Sequence, residues 1–472
     1  MKTEVLFIHP PITFKKMSPG FDNIPPLGIL YLAATLEKAG IGVKVIDDVD
    51  SSVSIEAILK TIKEEQPKVV GISSTTCQIK ASVELATEIR KAFNEDVKIC
   101  IGGCHVSADS DLIKRYPVFD IAVIGEGEKT FTALVQKILA GQDIKGVFMG
   151  EPVEDLDSIP FPAYHLVDME RLKKRGMDSY PIMGTRGCQF KCTFCSRPGL
   201  SGYGRNVRSR SAKNILDEME PVIKEYNGNF GFQDDSFTAN REAVIEFCEA
   251  VIRRGLKIRW GAGGVRIDKI DDELIQYMTK AGCNGFCFGI ESGNDRVRNR
   301  IVRKGLRSDK ILKALEICNK YPLDIQLSFI VGFPTETKEE MLETAMFARG
   351  LIDKGIRCIE YAAIRPAVPL PGAPLFDRAI KEQKIPSNLV DQFIQGKLGD
   401  EFRDNWPVYV PDGISKEEML AIRKKGYQAF YFTPYYIKRR VIKDITSWKR
   451  LKKDVAEAIS ILTAGRSKGS FS

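Results

Sequence analysis

Short apolar runs bounded by turn residues alternate with stretches of helical periodicity through residues 1–145. VLFIHP, VKVID, VVGISS, KICIGG and IAVIGEGE read as buried strands, and LGILYLAATLEKAG, AILKTIKEEQ, VELATEIRKAF and FTALVQKILAG as amphipathic helices between them. That alternation predicts a doubly wound, Rossmann-like α/β domain over 1–145. The acidic, proline-bearing GEPVEDLDSIPFPAYH interrupts it and places a linker over 146–179. A second alternation follows, with strand candidates YPIMGT, FGFQDD, KIRWGA, GFCFGIES, DIQLSFIVGF and CIEYAAIRP. Six units fall short of a closed eight-unit barrel and predict a partial (β/α)6 barrel over 180–385, its site at the strand C-terminal ends. Beyond it, 386–472 reads as a helical, increasingly basic C-terminal region.

Composition adds limits. The 472 residues are 43% hydrophobic, enough for several cores, and 70 basic against 62 acidic residues give a net charge of +8, too modest to indicate nucleic acid. The start, MKTEVLFIHPP, has a glutamate in its apolar stretch and runs into prolines, unlike a secretory signal, and no run reaches the length of a membrane span. A cytoplasmic protein is expected. Its eleven cysteines are then reduced thiols, metal ligands or redox centres, and with three histidines (His9, His105, His165) nitrogen ligands are scarce.

GTRGCQFKCTFCSRPG places Cys188, Cys192 and Cys195 in one tight triplet after the first barrel strand. Structural zinc sites close with four ligands, usually two pairs. Three thiolates instead suit three irons of a [4Fe-4S] cluster, leaving the fourth iron open to a small chelator. A zinc knuckle completed by a distant cysteine, or plain packed thiols, are the alternatives.

C-x-x-x-C-x-x-C after a barrel strand, with Phe194 before the last cysteine, resembles the radical S-adenosylmethionine (SAM) enzymes. GFQDDSF, WGAGGVRID, FGIESGND and FIVGFPTET fall near successive strand ends, as that family's cofactor motifs do. The resemblance implies that the open iron binds SAM and that an electron from the cluster, supplied by a flavodoxin- or ferredoxin-type donor, cleaves it to a 5′-deoxyadenosyl radical under anaerobic conditions. Asp234 then offers a carboxylate to the SAM amine, or caps the following helix together with Asp235; Glu291 and Ser292 reach toward a ribose; Gly332 permits close backbone approach. Arg266 and Arg303 meet a carboxylate or are solvated.

In the first domain, HPPITFKK follows the first strand with no glycine in the turn, which excludes a dinucleotide site and leaves Asp47 and Asp48 without a ribose role. Small residues lie instead after later strands: Ser73, Ser74 and Thr75; Gly102 and Gly103; Gly125 and Gly127 with Glu128. They open a crevice for a long, thin group. With HPP and PPLGILYLAATLEKAG, this arrangement resembles the cobalamin-binding domain fused to one branch of radical SAM enzymes. No histidine has an aspartate two residues before it, so the Asp-x-His-x-x-Gly fingerprint is absent and the cobalt has no histidine lower ligand. His105 reads as a crevice-lining or surface histidine, and a relic fold without cofactor is the alternative.

Two such cofactors together imply C-methylation of an unactivated carbon through methylcobalamin. A cobalamin-linked oxidation or cyclisation of the anaerobic tetrapyrrole cyclase type shares both domains, and a cobalamin or Fe–S sensor is the non-enzyme alternative. A methylthiotransferase would need a second cysteine trio, and Cys77, Cys100 and Cys104 do not have its spacing. Cys283 and Cys287 read as strand thiols rather than an auxiliary cluster, as do Cys248, Cys318 and Cys358. The basic, aromatic segment 427–453 reads either as a helix packed on the barrel or as a peripheral membrane contact bringing the site to a lipid-like or other small-molecule substrate. RNA binding ranks below both.

Overall fold

The computed structural model describes residues 2–13, 24–196, 206–398 and 407–444. Two parallel six-stranded sheets organise them. The first contains β1 (Val5–His9), β2 (Val43–Asp47), β3 (Val69–Ser73), β4 (Lys98–Gly102), β5 (Ile121–Ile124) and β6 (Gly146–Met149), in the order β2-β1-β3-β4-β5-β6. Alternate residues bury opposite faces. Val5, Phe7, Val69, Ile121 and Val123 pack against the helices Leu27–Lys38 and Glu128–Leu139. Leu6, Ile8, Val70, Ile72, Ile99 and Ile101 form the other face with the helices Ile55–Glu65 and Ile79–Phe93.

The sixth strand comes from the segment read as linker. GVFM pairs with β5 from Ile121↔Gly146 to Ile124↔Met149, but Val147 and Met149 point to solvent. An edge strand exposed on one face lacks the continuous apolar run that marked its neighbours.

The second sheet holds β7 (Tyr180–Ile182), β10 (Asn229–Phe232), β11 (Arg259–Val265), β12 (Cys283–Glu291), β13 (Asp324–Val331) and β14 (Ile359–Pro366), in the order β14-β13-β12-β11-β10-β7. An antiparallel ribbon, β8 (Thr185–Arg186) with β9 (Arg208–Ser209), follows β7. This is the open six-unit barrel expected from the sequence. Trp260 anchors its core, with Phe232, Phe237 and Phe247 at ring-centroid distances of 5.5, 5.6 and 5.6 Å and its indole N–H on the Ala281 carbonyl at 2.9 Å.

The two units share a core. Val297, Val302, Phe333, Leu375, Leu389 and Phe393 continue the apolar face of the first sheet that carries Leu6 and Ile8. Domain boundaries drawn by strand pattern therefore do not separate two independent hydrophobic interiors.

The C-terminal aromatics cover the barrel edge. From the helix Lys416–Tyr431, the Tyr431 hydroxyl donates to the Ala362 carbonyl at 3.0 Å and accepts its N–H at 3.2 Å, and the Tyr427 hydroxyl does the same to Ile364 at 3.0 and 3.1 Å. Two hydroxyls thus satisfy backbone groups that an edge strand leaves open. In the helix Pro434–Asp444, Tyr435 donates to the Arg357 carbonyl, and Arg439 and Arg440 pair with Glu360 at 2.9 and 2.7 Å. Through residue 440 the segment behaves as the packed helix of the two readings. The basic residues from 445 to 453 lie outside the described residues. No helix among the described residues is long and apolar enough to cross a membrane.

Candidate active site

The three cysteines sit on an irregular loop at the C-terminal end of β7, each half-buried. Gly187 opens the loop at φ +100°, where a Cβ would lie 2.5 Å from the Asn206 carbonyl oxygen, so only glycine fits. Thr193 fixes the loop's centre. Its N–H donates to the Val302 carbonyl at 3.0 Å, its hydroxyl to the Ile301 carbonyl at 2.9 Å, and its own carbonyl accepts from Leu375 N–H at 2.9 Å. Phe194 packs its ring 6.0 Å from Phe333, at the edge of the shared core. Among the described residues no three His, Cys, Asp or Glu side chains converge on one metal-ion position. A [4Fe-4S] cluster takes each thiolate on a different iron.

Charged groups surround Cys192. Burial pushes its thiol up, and Lys304 and Arg266 oppose that by favouring thiolate. The Lys304 ammonium donates to Glu291 Oε1 at 2.8 Å in a pair whose side chains are 12% and 7% exposed. Burial disfavours the Lys304 charge, yet Glu291 and Cys192 hold its pKa above the ordinary lysine value. Lys304 was absent from the sequence candidates because nothing in VRKG marks it; Glu291 brings it in by turning at φ +68°, a left-handed backbone that is strained for glutamate. Arg266 is buried, not solvated. Its guanidinium lies 3.7 Å over the Phe190 ring, pairs with Asp268 at 2.8 Å and donates to the Lys304 carbonyl at 3.0 Å.

Asp234 ends the strand beside β7. Its Oδ2 accepts the Gly184 N–H at 3.2 Å, while Oδ1 is buried with no hydrogen-bond partner. Burial lifts its pKa to about 6. A buried carboxylate oxygen left open at a strand end fits an ammonium group. Gly264, at φ +61°, lets β11 pass close to the backbone of this turn, since a Cβ there would lie 2.4 Å from the main-chain carbonyl oxygen of Asp234.

Two candidates serve the protein itself. The Ser292 hydroxyl is fully buried between the Thr344 hydroxyl at 3.0 Å and the Asn294 N–H at 3.1 Å, a loop cap rather than a group reaching for a ribose. At Gly332 (φ +90°) a Cβ would meet Met419 Sδ at 2.5 Å, so the close approach belongs to the C-terminal helix. Glu336, unmarked in the sequence reading, accepts the Gly332 and Phe333 N–H groups at 2.6 and 2.8 Å and is pushed by burial up to about 8. On β12, Cys283 is buried and Cys287 half-buried, with burial raising Cys287 to about 11.

The C-terminal edge of the first sheet is stitched by neutral groups. Ser73 lies opposite Gly102 in register, and the Ser74 N–H donates to the Gly102 carbonyl at 2.9 Å. The Ser74 hydroxyl is spent on the Thr75 carbonyl at 3.1 Å and on Ser82 at 3.0 Å, and Thr75 on Gln78 at 2.8 Å. Gly103 fills its own close contact, 2.7 Å from a would-be Cβ to the Ser74 carbonyl, whereas Gly102 leaves ordinary room. His105 is buried rather than on the surface. Its Nδ1 meets the Thr76 hydroxyl at 3.0 Å, its Nε2 has no partner, and burial lowers its pKa to about 4, so the ring is neutral. Gly125 N–H donates to Ser107 at 2.9 Å. An edge of small residues with one buried nitrogen left open fits an uncharged, amide-rich group.

Gly127 and Glu128 do something else. A Cβ at Gly127 would press on Leu32, and Glu128 accepts from Arg186 at 2.6 Å. Glu126, between the two glycines, pairs with Arg208 at 3.0 Å and lies 3.5 Å from Arg186. The glycine-rich turn of the first sheet is thereby bonded to the ribbon that leads into the cysteine loop.

The two edges match known families. A model of the radical SAM superfamily matches residues 182–348, and a model of the B12 binding domain matches residues 21–135. An uncharacterized methyltransferase of Pyrococcus horikoshii is 32% identical over 444 residues, covering 89% of this chain and 90% of that protein. The chain belongs to the radical SAM superfamily and carries a B12-binding domain. It is 26% identical to the anaerobic magnesium-protoporphyrin IX monomethyl ester cyclase of Rubrivivax gelatinosus, over 93% of this chain and 79% of that one. The fold is shared with the radical SAM methyltransferase TsrM from Kitasatospora setae, solved with cobalamin and a [4Fe-4S] cluster (TM-score 0.70, 17% identity, 92% and 91% covered). This chain is therefore a cobalamin-dependent radical SAM enzyme, with a [4Fe-4S] cluster, SAM and cobalamin as its cofactors.

Proposed function

We propose that the enzyme methylates an unactivated carbon of a small-molecule or lipid-like substrate. Cys188, Cys192 and Cys195 hold the cluster; Asp234 takes the SAM amine; Ser73, Gly102 and Gly125 border the cobalamin crevice. When bound, these cofactors supply a primary carbon radical and a transferable methyl group. The chain's own part is placement. Burial raises the Cys192 thiol and Lys304 and Arg266 partly offset that rise, Asp234 offers an open oxygen for a cation, and the small residues after β3 and β4 leave room for a bulky, amide-rich group. The observation that supports the reading is the direct bonding, through Glu126, Glu128, Arg186 and Arg208, of the glycine turn after β5 to the ribbon that leads into the cysteine loop.

Trideuteromethyl-labelled SAM given to extract containing the reconstituted enzyme tests it. A product heavier by the labelled methyl group supports methylation. An altered product without label supports the cyclase-type reading, which the Rubrivivax relative favours. An enzyme of either kind draws its electron from an external flavodoxin- or ferredoxin-type protein and works in the cytoplasm without oxygen.

A further inference from the structure

The β8–β9 ribbon carries Arg186 and Arg208, with Arg210 just past its end, and three glutamates answer them, Glu128 and Glu218 buried and Glu126 half-buried. Arg186 meets Glu128, Arg208 meets Glu126, and Arg210 meets Glu218 at 2.5 Å. None of these six side chains is more than 17% exposed. The Arg186 guanidinium also lies 5.0 Å over the ring of Tyr31, on the first helix of the B12-binding domain. Arg208 donates further to the Val153 carbonyl at 2.6 Å, and Arg210 to the Met183 carbonyl at 2.9 Å, so the ribbon is held from both units.

Apolar contact already joins the units through the shared core. Buried ion pairs add little stability over apolar packing, because desolvation offsets their attraction, but planar guanidinium–carboxylate bonds fix orientation where apolar contact does not. Here they fix the two places that matter. Glu126 and Glu128 alternate with Gly125 and Gly127 on the cobalamin side; Arg186 stands two residues before Cys188 on the cluster side.

We infer that Arg186, with Glu126 and Glu128, is a positioning residue that sets the separation and orientation of the cobalamin relative to the iron–sulfur cluster. The inference rests on the cofactor assignment above. The latch touches neither reacting atom; it carries the position of one loop to the other. Loosening it leaves both cofactors bound and lets their separation vary.

Electron paramagnetic resonance of the doubly loaded holoenzyme reads this directly, through the relaxation enhancement of cob(II)alamin by the reduced cluster, which falls steeply with distance. The wild type should show strong, uniform enhancement. Arg186→Met and the isosteric Glu128→Gln should show at least a twofold weaker or visibly heterogeneous enhancement at unchanged iron and cobalt content, and Arg186→Lys should recover part of it. Enhancement in Glu128→Gln and Arg186→Met equal to that of the wild type would overturn the inference, as would a doubly loaded wild type with none. Should Arg186→Met not fold, Glu128→Gln and Glu126→Gln, which keep shape and remove only charge, decide alone. A wild type that binds no cobalt overturns the cofactor assignment instead.

Discussion

The loops that follow β3 and β4 in the first sheet and the strand ends of the second sheet are built from different materials. In the first, loops are sewn by hydroxyls, amides and a neutral imidazole: Ser74 with Ser82, Thr75 with Gln78, Thr76 with His105, Ser107 with Gly125. In the second, the same positions hold buried charge: Asp234, Glu291 with Lys304, Arg266 with Asp268. The contrast matches the cofactors proposed for each edge. A corrin with its amide side chains is large and needs room and neutral hydrogen bonds. A zwitterionic sulfonium compound and a thiolate-ligated cluster need fields that select a protonation state.

Breaking the charged edge should have the larger consequences. Changing Cys188, Cys192 and Cys195 together to alanine should lower release of 5′-deoxyadenosine by about 1000-fold or more, measured by chromatography after reduction, because the radical step has no other source in the chain. Next comes Lys304→Met. It strands Glu291 in a buried site and should cost about 3–5 kcal/mol in a denaturant titration. Lys213, an exposed lysine paired with Asp217 four residues on, should tolerate Lys213→Met with a loss of about 1 kcal/mol or less in the same assay.

Asp234 sharpens the comparison through pH. Its folded pKa, about 6, lies above the ordinary 3.8, so its own contribution to the stability of the cofactor-free protein is lost as pH rises from about 4 to about 6 and is constant above that range. Binding of a cation requires the ionised form. SAM affinity should therefore fall by about tenfold per pH unit below about pH 6, as read by calorimetry, and this dependence should vanish in Asp234→Asn along with much of the affinity. At the neutral edge the effects should be smallest. Thr76→Val removes one hydrogen bond from His105 and should cost about 1 kcal/mol in thermal unfolding, and Tyr431→Phe at the barrel edge a similar amount.

Period and turn chemistry made eleven of the twelve strands of the two large sheets legible, because ten of those eleven bury a continuous or nearly continuous apolar face and the other, β2, is framed by helical stretches. β6 escaped since half of it faces solvent. Within the site, the cysteine triplet announced itself by spacing alone. The supporting charges did not. Lys304 pairs with Glu291 across 13 residues and Arg186 finds Glu128 across 58 residues of chain, relations that exist after folding and leave no local pattern. At Ser292 and Gly332 the sequence pattern pointed to ligand contact and gave no sign of the Thr344 cap and the Met419 packing that the fold adds there.

Methylation of this kind needs one site in which SAM serves both cofactors. Anaerobic enzyme loaded with iron, sulfide and cobalamin, given SAM and reductant, tests this without knowledge of the substrate. Release of 5′-deoxyadenosine together with S-adenosylhomocysteine, the latter only when cobalamin is present, is the predicted result; 5′-deoxyadenosine with no S-adenosylhomocysteine at any cobalamin loading would contradict it.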